Sequence, residues 1–569
     1  MAKWDGGFQK GLTSYGDDAF SLFLRKVFLK SMGYSDEAID RPIIGITDTG
    51  SAYNSCHGNV PQLIEAIKRG VAQAGGLAFE FPIVSLHESF SHPTSMYLRN
   101  LMSMDAEEMI RAQPMDAVVL IGGCDKTVPA LLMGAASANK PAILEVTGPM
   151  LTGSLDGERV GACTDCRRYW ARFRAGEIDQ EAIRRVSDQL GPTTGTCMVM
   201  GTASTMALCA EALGMMLEGG AAIPAVYSER IRHAERTGAR AVALASEGVS
   251  PDRIMTGGAF ENALTTLLAI GGSTNAIIHL TAIAGRLGIE IDLDRFDRLG
   301  RETPMLVDLK PSGRHYMQEL HAAGGFPRIR AELKDHLHLD CLTIDGGTQR
   351  DLLERAPAFP QDVVRPVEDP LYASGSMAVL YGNLCPNGAV IKQAAASERL
   401  LRHEGRAVVF ENVRDLAARV DDPDLEVTPD DVLIMRNTGP IGAPGMPEAG
   451  YLPIPRKLAS RGVKDMVRIS DARMSGTAFG TIVLHVAPEA AAGGPLALVE
   501  TGDRVRLDVP ARRLDLLIDE AEFERRRLAK PAPAETHPRP SRGYARLLHD
   551  EILQAPEGCD FRFLRGGPA

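Results

Sequence analysis

The chain is predicted to be a two-part α/β protein. An amino-terminal α/β/α domain on a mostly parallel sheet spans residues 1–360, and a second domain of short strands spans 361–569. Three observations predict this. At 569 residues the chain exceeds what one ordinary core serves. Its first half alternates apolar β-branched runs with helical periodicity, the pattern of βαβ units. Near residue 355 the texture changes: Arg355–Pro370 is rich in Pro and charge and reads as a linker, and beyond it come short strands separated by turns.

The elements follow in order. Pro42–Thr47 reads as a strand and Asn59–Gly70 as a helix, with Leu63, Ile64 and Ile67 at helical spacing. Strand patterns recur at Phe81–Leu86, Val118–Ile121 and Ala142–Val146, with helices over Asp105–Arg111 and Ala130–Asn139. In such sheets ligands bind beyond the carboxyl ends of the strands. Cys56, Glu88 and Cys124-Asp125-Lys126 follow three of those ends, which points to one site. Gly191–Cys197 is a glycine-rich turn leading into a long helix over Met198–Met215, and Gly271–Asn275 is a second such turn at a helix start. By itself Cys197 reads as a small core residue, since free Cys is among the most buried types.

In the second half, strand-like runs occupy Met377–Leu380, Val408–Phe410, Val432–Met435, Met466–Ile469, Thr481–Val486 and Arg504–Val509, a spacing that suits a barrel or a sandwich. Gly439–Glu448 is too Pro-rich for a phosphate loop, which needs free backbone N–H groups, and it presents one carboxylate, Glu448. Ser470–Thr477 is a hydroxyl-rich turn beside glycine. After Glu520 the chain turns basic and Pro-rich through Pro540, then closes with a helical piece near Tyr544–Leu553, read together as a surface strap.

Composition excludes several classes. With 73 acidic against 62 basic residues the net charge is −11, and no basic block marks a nucleic-acid footprint. Met1–Lys10 lacks a signal pattern and no window approaches a membrane span, so a cytoplasmic protein is expected, with neither membrane nor nucleic acid as partner. Nine cysteines, an odd number in so long a chain, suit reduced thiols and ligands better than a disulfide framework.

Five segments together resemble the family of dihydroxy-acid, phosphogluconate and sugar-acid dehydratases over nearly the whole length. They are Gly123–Pro129, Thr196–Met206, Gly271–Asn275, Gly382–Ala389 and Ser470–Gly476. The resemblance implies an α/β amino-terminal domain with a carboxy-terminal β-barrel-like domain, assembled as a homodimer or homotetramer. It implies that Cys56, Cys124 and Cys197 hold an iron–sulfur cluster, 2Fe–2S by likeness to the sugar-acid branch, with 4Fe–4S as the alternative. Thiolates suit such clusters, and an open position lets the metal act as a Lewis acid. It further implies that Glu88, Asp125, carbamylated Lys126 and Glu448 bind Mg²⁺, whose preference is for hard oxygen donors. Ser475 would be the alkoxide base and Thr477 would help hold the substrate carboxylate. The reaction implied is dehydration of a 2,3-dihydroxy sugar acid to a 2-keto-3-deoxy acid.

Two alternatives remain: the branched-chain enzyme acting on 2,3-dihydroxyisovalerate, and a non-catalytic metal- or ligand-binding protein that keeps the fold. Ser89–Asn100 favours the sugar-acid branch, with His92, Ser95, Arg99 and His57 offering hydrogen bonds to a polyol. The chain departs from the family pattern at His57, where many relatives carry Asn. It departs again at Cys163-Thr164-Asp165-Cys166, a pair the family does not require and which reads as structural or incidental.

Overall fold

The computed structural model describes residues 4–12, 15–530 and 537–567. Outside it lie residues 1–3, 13–14, 531–536 and 568–569, and with them part of the amino-terminal start and of the Pro-rich tail. The first half is built on a four-stranded parallel sheet of β1 (Ile43–Asp48), β2 (Leu77–Pro82), β3 (Ala117–Gly122) and β4 (Ala142–Val146), in the order β2-β1-β3-β4. All residues of β3 and β4 are buried, because helices cover a parallel sheet on both faces and leave no polar side. Helix α1 (Val60–Gln73) follows β1, α2 (Ser95–Ala112) follows β2 and α3 (Thr127–Ala138) follows β3.

On one face α1 crosses a later helix, Ser228–Glu247, at reciprocal glycines. A Cβ on Gly70 would lie 1.9 Å from the Glu235 carbonyl oxygen, and one on Gly238 would lie 2.2 Å from that of Ile67. The backbones thus approach as only glycine allows.

The second half is an eight-stranded mixed sheet that curls into a barrel. Its strands are β7 (Ala378–Leu380), β8 (Ala389–Ile391), β9 (Arg402–Phe410), β10 (Val432–Met435), β11 (Arg468–Ser470), β12 (Ile482–Leu484), β13 (Arg504–Asp508) and β14 (Arg513–Leu516); a hairpin of β5 (Gly153–Leu155) and β6 (Glu158–Val160) precedes them. The order is β14-β13-β9-β10-β11-β12-β8-β7, and the two edges meet where Tyr381 bridges Arg513, its N–H donating to the Arg512 carbonyl at 2.9 Å. Side-chain alternation explains the packing. Ala407, Val409, Val432 and Ile434 share one apolar cluster with residues of all eight strands, the barrel interior, whereas Val408, Phe410, Leu433 and Met435 join an outer cluster with Leu452 and Leu458.

Several boundaries differ from the sequence reading. The second strand is Leu77–Pro82, with Pro82 ending it; residues 83–88 instead form the loop that carries Glu88. The helix expected over Met198–Met215 is confined to Thr202–Ala212, because Met198–Gly201 is a turn in which Ser204 Oγ donates to the Val199 carbonyl at 3.0 Å. Helix α2 begins ten residues before the expected Asp105. Strands β8 and β14 are three and four residues long, too short to show a period.

The Pro-rich connection is not loose: Val364 bridges Val307, Tyr372 bridges Met305, and Val363 and Val364 are buried. The helix Glu520–Ala529 of the strap has no buried residue, but beyond the strap the chain end is anchored inside. Asp560 is fully buried against Arg286, with Nε to Oδ2 at 2.6 Å, and Arg99 Nη2 donates to the carbonyls of Gly558 and Cys559 at 2.9 and 2.8 Å. Among the described residues no helix is long and apolar enough to cross a membrane.

Candidate active site

Three strand ends of the parallel sheet converge. After β1 the chain makes a short turn, Ser55–His57; after β2 comes His87-Glu88; after β3 come Gly122-Gly123-Cys124-Asp125-Lys126, and α3 starts at Thr127. Gly123 is required here, since a Cβ would lie 1.9 Å from Thr147 Oγ1. His57 fastens two of the ends together. Its Nδ1 lies 2.9 Å from the Thr49 carbonyl and so carries the proton, which leaves Nε2 to accept the Cys124 N–H at 3.1 Å. Burial pushes the His57 pKa down to about 4, in keeping with a neutral ring.

One side of this junction is soft. Cys56, Cys124 and His87 present ligand atoms that all lie within 4.8 Å of one another. A hydrogen bond from the Cys124 thiol and the neighbouring His87 lower the Cys56 pKa, while Cys124 is raised by that same sharing and by burial. His87 is raised, first by its bond with Cys56. The loop carrying Cys197 docks on the same turn, with Gly195 N and Thr194 Oγ1 donating to the Ser55 carbonyl at 3.3 and 2.9 Å. The Cys197 thiol itself meets Cys163, Sγ to Sγ 3.0 Å.

The other side is hard. Glu88, Asp125 and Glu448 also gather within 4.8 Å, Glu448 arriving from the barrel half. Lys126 is fully buried among them, its Nζ 2.5 Å from Asp125, 3.4 Å from Glu88 and 3.8 Å from Glu448. Burial and Arg473 draw the Lys126 pKa down, the three carboxylates draw it up, and the balance lies above the ordinary amine value. Arg473, also fully buried, donates to Glu448 at 2.6 Å and reaches Glu88 at 3.4 Å. Burial alone would raise Glu88, but Arg473, Lys126 and the hydroxyls of Ser95 and Thr94 hold it well below the usual carboxylate range. Burial prevails at Glu448 and raises it. With all three carboxylates ionised against two cations, the cluster keeps one unit of negative charge, an attraction for a cation.

Hydroxyls and amides tie this cluster to the barrel loop. Asn275 Nδ2 donates to Glu448 at 3.0 Å and to Thr202 Oγ1 at 3.2 Å, and Thr202 pairs with Ser273 at 2.8 Å. Gly476 lies so close to Ser273 that a Cβ would come within 2.5 Å of that side chain, which seats Ser475-Gly476-Thr477 at the site. Ser475 Oγ and Thr477 Oγ1 are 2.8 Å apart, and Thr164 Oγ1 donates to the Thr477 carbonyl at 3.1 Å.

Soft donors on one side and hard donors on the other, separated by one peptide at Cys124-Asp125, suit a thiolate-bound iron centre and an oxygen-bound Mg²⁺ respectively. Asn275 Oδ1 and Arg473 Nε are buried here without a hydrogen-bond partner, as expected of a place made for a further group. The fold and site thus define an α/β plus barrel protein with a candidate bipartite metal centre.

The chain belongs to the dihydroxy-acid/6-phosphogluconate dehydratase family: residues 41–352 match its N-terminal domain and residues 362–559 its C-terminal domain. It is 49% identical to the L-arabonate dehydratase of Azospirillum brasilense over 97% of this chain and 96% of that one. It is 48% identical to the L-arabinonate dehydratase of Rhizobium leguminosarum bv. trifolii, over 97% and 95%. With the 6-deoxy-6-sulfo-D-gluconate dehydratase of Pseudomonas putida the identity is 43%, over 98% and 96%.

Of the residues singled out from sequence, Cys56, Cys124, Glu88, Asp125, Lys126 and Glu448 meet at one junction, the loop of Ser475 and Thr477 lies against it, and the Cys197 thiol points to Cys163. The expected polyol contacts fare differently. His57 spends both ring nitrogens on the protein, and Arg99 is buried, donating to Asn100, His279 and the tail carbonyls. Ser95 is bound to Glu88 and His92 is exposed.

His87, Arg473, Asn275 and Thr94 were not anticipated as site residues. His87 could have been found from its place beside Glu88. Asn275 and Arg473 lie inside segments that carried the family resemblance, but nothing in their spacing shows what they touch.

Proposed function

We propose that this chain is a hydro-lyase that removes water from a 2,3-dihydroxy sugar acid, giving an enol that tautomerises to the 2-keto-3-deoxy acid. The observation that carries this reading is the juxtaposition of thiols and carboxylates across Cys124-Asp125-Lys126, with the Ser475 loop seated against them. The substrate class is supported by the relatives given above, dehydratases of L-arabinonate and of 6-deoxy-6-sulfo-D-gluconate.

In this reading Cys56, Cys124 and Cys197 hold a 2Fe–2S cluster, and Glu88, Asp125, Glu448 and a carbamylated Lys126 hold Mg²⁺. When bound, the cluster supplies a Lewis acid for the departing C3 hydroxyl and Mg²⁺ supplies positive charge for the substrate carboxylate and C2 oxygen. Lys126 as an ammonium cannot ligate a cation; its neutral amine plus carbon dioxide yields a carbamate and one proton, adding a fourth oxygen donor.

Ser475, as its alkoxide, takes the C2 proton and so returns to the hydroxyl. Its Oγ lies 2.8 Å from Thr477 Oγ1, and Thr477 helps to orient the substrate carboxylate. Arg473 and Asn275 hold Glu448 so that it does not turn toward solvent.

The test is a panel of pentonic and hexonic acids (arabinonate, xylonate, galactonate) beside 2,3-dihydroxyisovalerate, assayed anaerobically with Mg²⁺ for 2-keto acid. Higher kcat/KM on a sugar acid is expected. Preference for dihydroxyisovalerate would move the enzyme to branched-chain substrates, and a colourless protein with zinc alone would remove the dehydratase reading altogether.

A further inference from the structure

Cys163-Thr164-Asp165-Cys166 is left over by the reaction just described, yet it is held in place with care. Asp165, 1% exposed, accepts from Gly161 N at 2.8 Å, from the Tyr316 hydroxyl at 2.8 Å and from Lys310 Nζ at 3.3 Å. Thr164 binds the Thr477 carbonyl, so the pair abuts the loop that carries Ser475. Cys163, Cys166 and Cys197 are all free thiols of intermediate exposure, whereas Cys56 and Cys124 are buried.

Cys163 stands between the other two. Its Sγ lies 3.0 Å from that of Cys197, and Cys166 follows three residues on, in the first turn of the helix Thr164–Arg174 that Cys163 precedes. The short distance separates two explanations. Thiolates sharing one tetrahedral metal at about 2.3 Å each stand roughly 3.8 Å apart. At 3.0 Å the sulfurs are nearer than common ligation would hold them and are placed for direct reaction.

We propose that Cys197, Cys163 and Cys166 form a thiol–disulfide relay, in which Cys163 bonds to Cys197 when the chain carries no cluster and meets an oxidised low-molecular-weight disulfide. Cys197 attacks one sulfur of that disulfide and releases one small thiolate. Cys163, giving its proton to that thiolate, then attacks the Cys197 sulfur and releases the second. Two protein thiols lose two protons and two electrons, and the small disulfide is reduced to two thiols. Attack by Cys166 on Cys163 next yields the Cys163–Cys166 disulfide and returns Cys197 as a thiolate, with no further change in electron count.

While it lasts, the Cys163–Cys197 bond keeps Cys197 from irreversible oxidation to sulfinic acid and withholds it as a donor, until Cys166 or an external thiol releases it. That consequence rests on the proposed role of Cys197 at the cluster; the relay itself does not.

The experiment treats the full-length chain, freed of metal by chelator and shown by circular dichroism to stay folded, with oxidised glutathione, and maps tryptic peptides without reduction. In Cys166→Ser the Val160–Arg167 peptide should be found joined to the peptide containing Cys197, lighter by two hydrogens and released by dithiothreitol. The wild type should pass on to the internal Cys163–Cys166 bond. Cys163→Ser should show only separate glutathione adducts on Cys166 and Cys197. Separate adducts in the wild type and in Cys166→Ser, with no internal bond, would overturn the relay. Iron and sulfide uptake by oxidised Cys166→Ser, before and after dithiothreitol, reads the consequence. Equal uptake in both states, with the Cys163–Cys197 bond present, would remove Cys197 from the cluster and leave the relay standing.

Discussion

Arg473 Nη1 donates to Glu448 Oε1 at 2.6 Å while the same guanidinium reaches Glu88 at 3.4 Å, so one buried cation from the barrel half binds carboxylates from both halves of the chain. Removing it leaves three carboxylates with Lys126 alone. Arg473→Met is expected to lose about 3–5 kcal/mol of stability in the metal-free chain, as for a broken buried pair. Because the remaining cluster is more negative, Mg²⁺ should raise Tm more in the variant than in the wild type. Thermal melts with and without Mg²⁺ check this, and an unchanged increment would show that the guanidinium and the ion do not share these carboxylates.

Asn275 touches Glu448 without belonging to the proposed ligand set. Asn275→Ala should weaken Mg²⁺ binding by about 10–100-fold, the usual cost of losing an outer partner of a ligating carboxylate, while iron content stays unchanged. Isothermal titration and iron analysis on one preparation read both quantities. Loss of iron as well would mean that the thiol and carboxylate sides are not independent.

The two sides can also be separated at their centre. Cys124→Ser should strip iron and sulfide and abolish turnover while keeping Mg²⁺ binding. Lys126→Ala should do the reverse, losing Mg²⁺ and turnover but keeping the brown colour. Native mass spectrometry of the active wild type should find Lys126 heavier by one carbon dioxide. A free amine in active enzyme would refute the carbamate.

Ser475→Ala should bind substrate and both metals yet turn over about a hundredfold more slowly or worse, the usual effect of deleting a general base. The loss should fall on kcat and not KM, because Gly476 against Ser273 and Thr477 against Gly201 keep the loop seated. Near-normal kcat would assign the proton to another group.

Gly238→Ala probes the scaffold. Its Cβ would sit 2.2 Å from the Ile67 carbonyl, so the two helices must part, at a cost of about 1–3 kcal/mol for overpacking. Urea unfolding should show a lower midpoint, and an unchanged midpoint would mean that the helices already have slack.

Much of the fold was legible because buried parallel strands announce themselves. Ala117–Gly122 has no exposed residue, and its apolar run reads directly as a strand. Edge strand β2 is only partly buried, so the more apolar Phe81–Leu86 gives the stronger strand pattern in the sequence. The helix beginning at Thr202 was overextended because Ala, Met, Ser and Thr suit a helix, and nothing local reveals that Ser204 turns back to cap Val199. At the site, Cys56, Glu88 and Cys124-Asp125-Lys126 could be gathered from sequence since all follow strands of one sheet, and strand ends of one sheet share an edge.

By itself the sequence determined the two-part architecture, the family and the junction at Cys124-Asp125-Lys126, because hydrophobic period and motif order are properties of the chain alone. Only the tertiary structure decided which residues touch. It brought Glu448 and Arg473 from the barrel half to Glu88 and turned His57 and Arg99 inward to hold the frame. It also set the Cys163 thiol against Cys197 instead of leaving it incidental. These are contacts between residues 34 to 460 positions apart, settled by how two domains and a returning tail pack, and no local pattern encodes that packing.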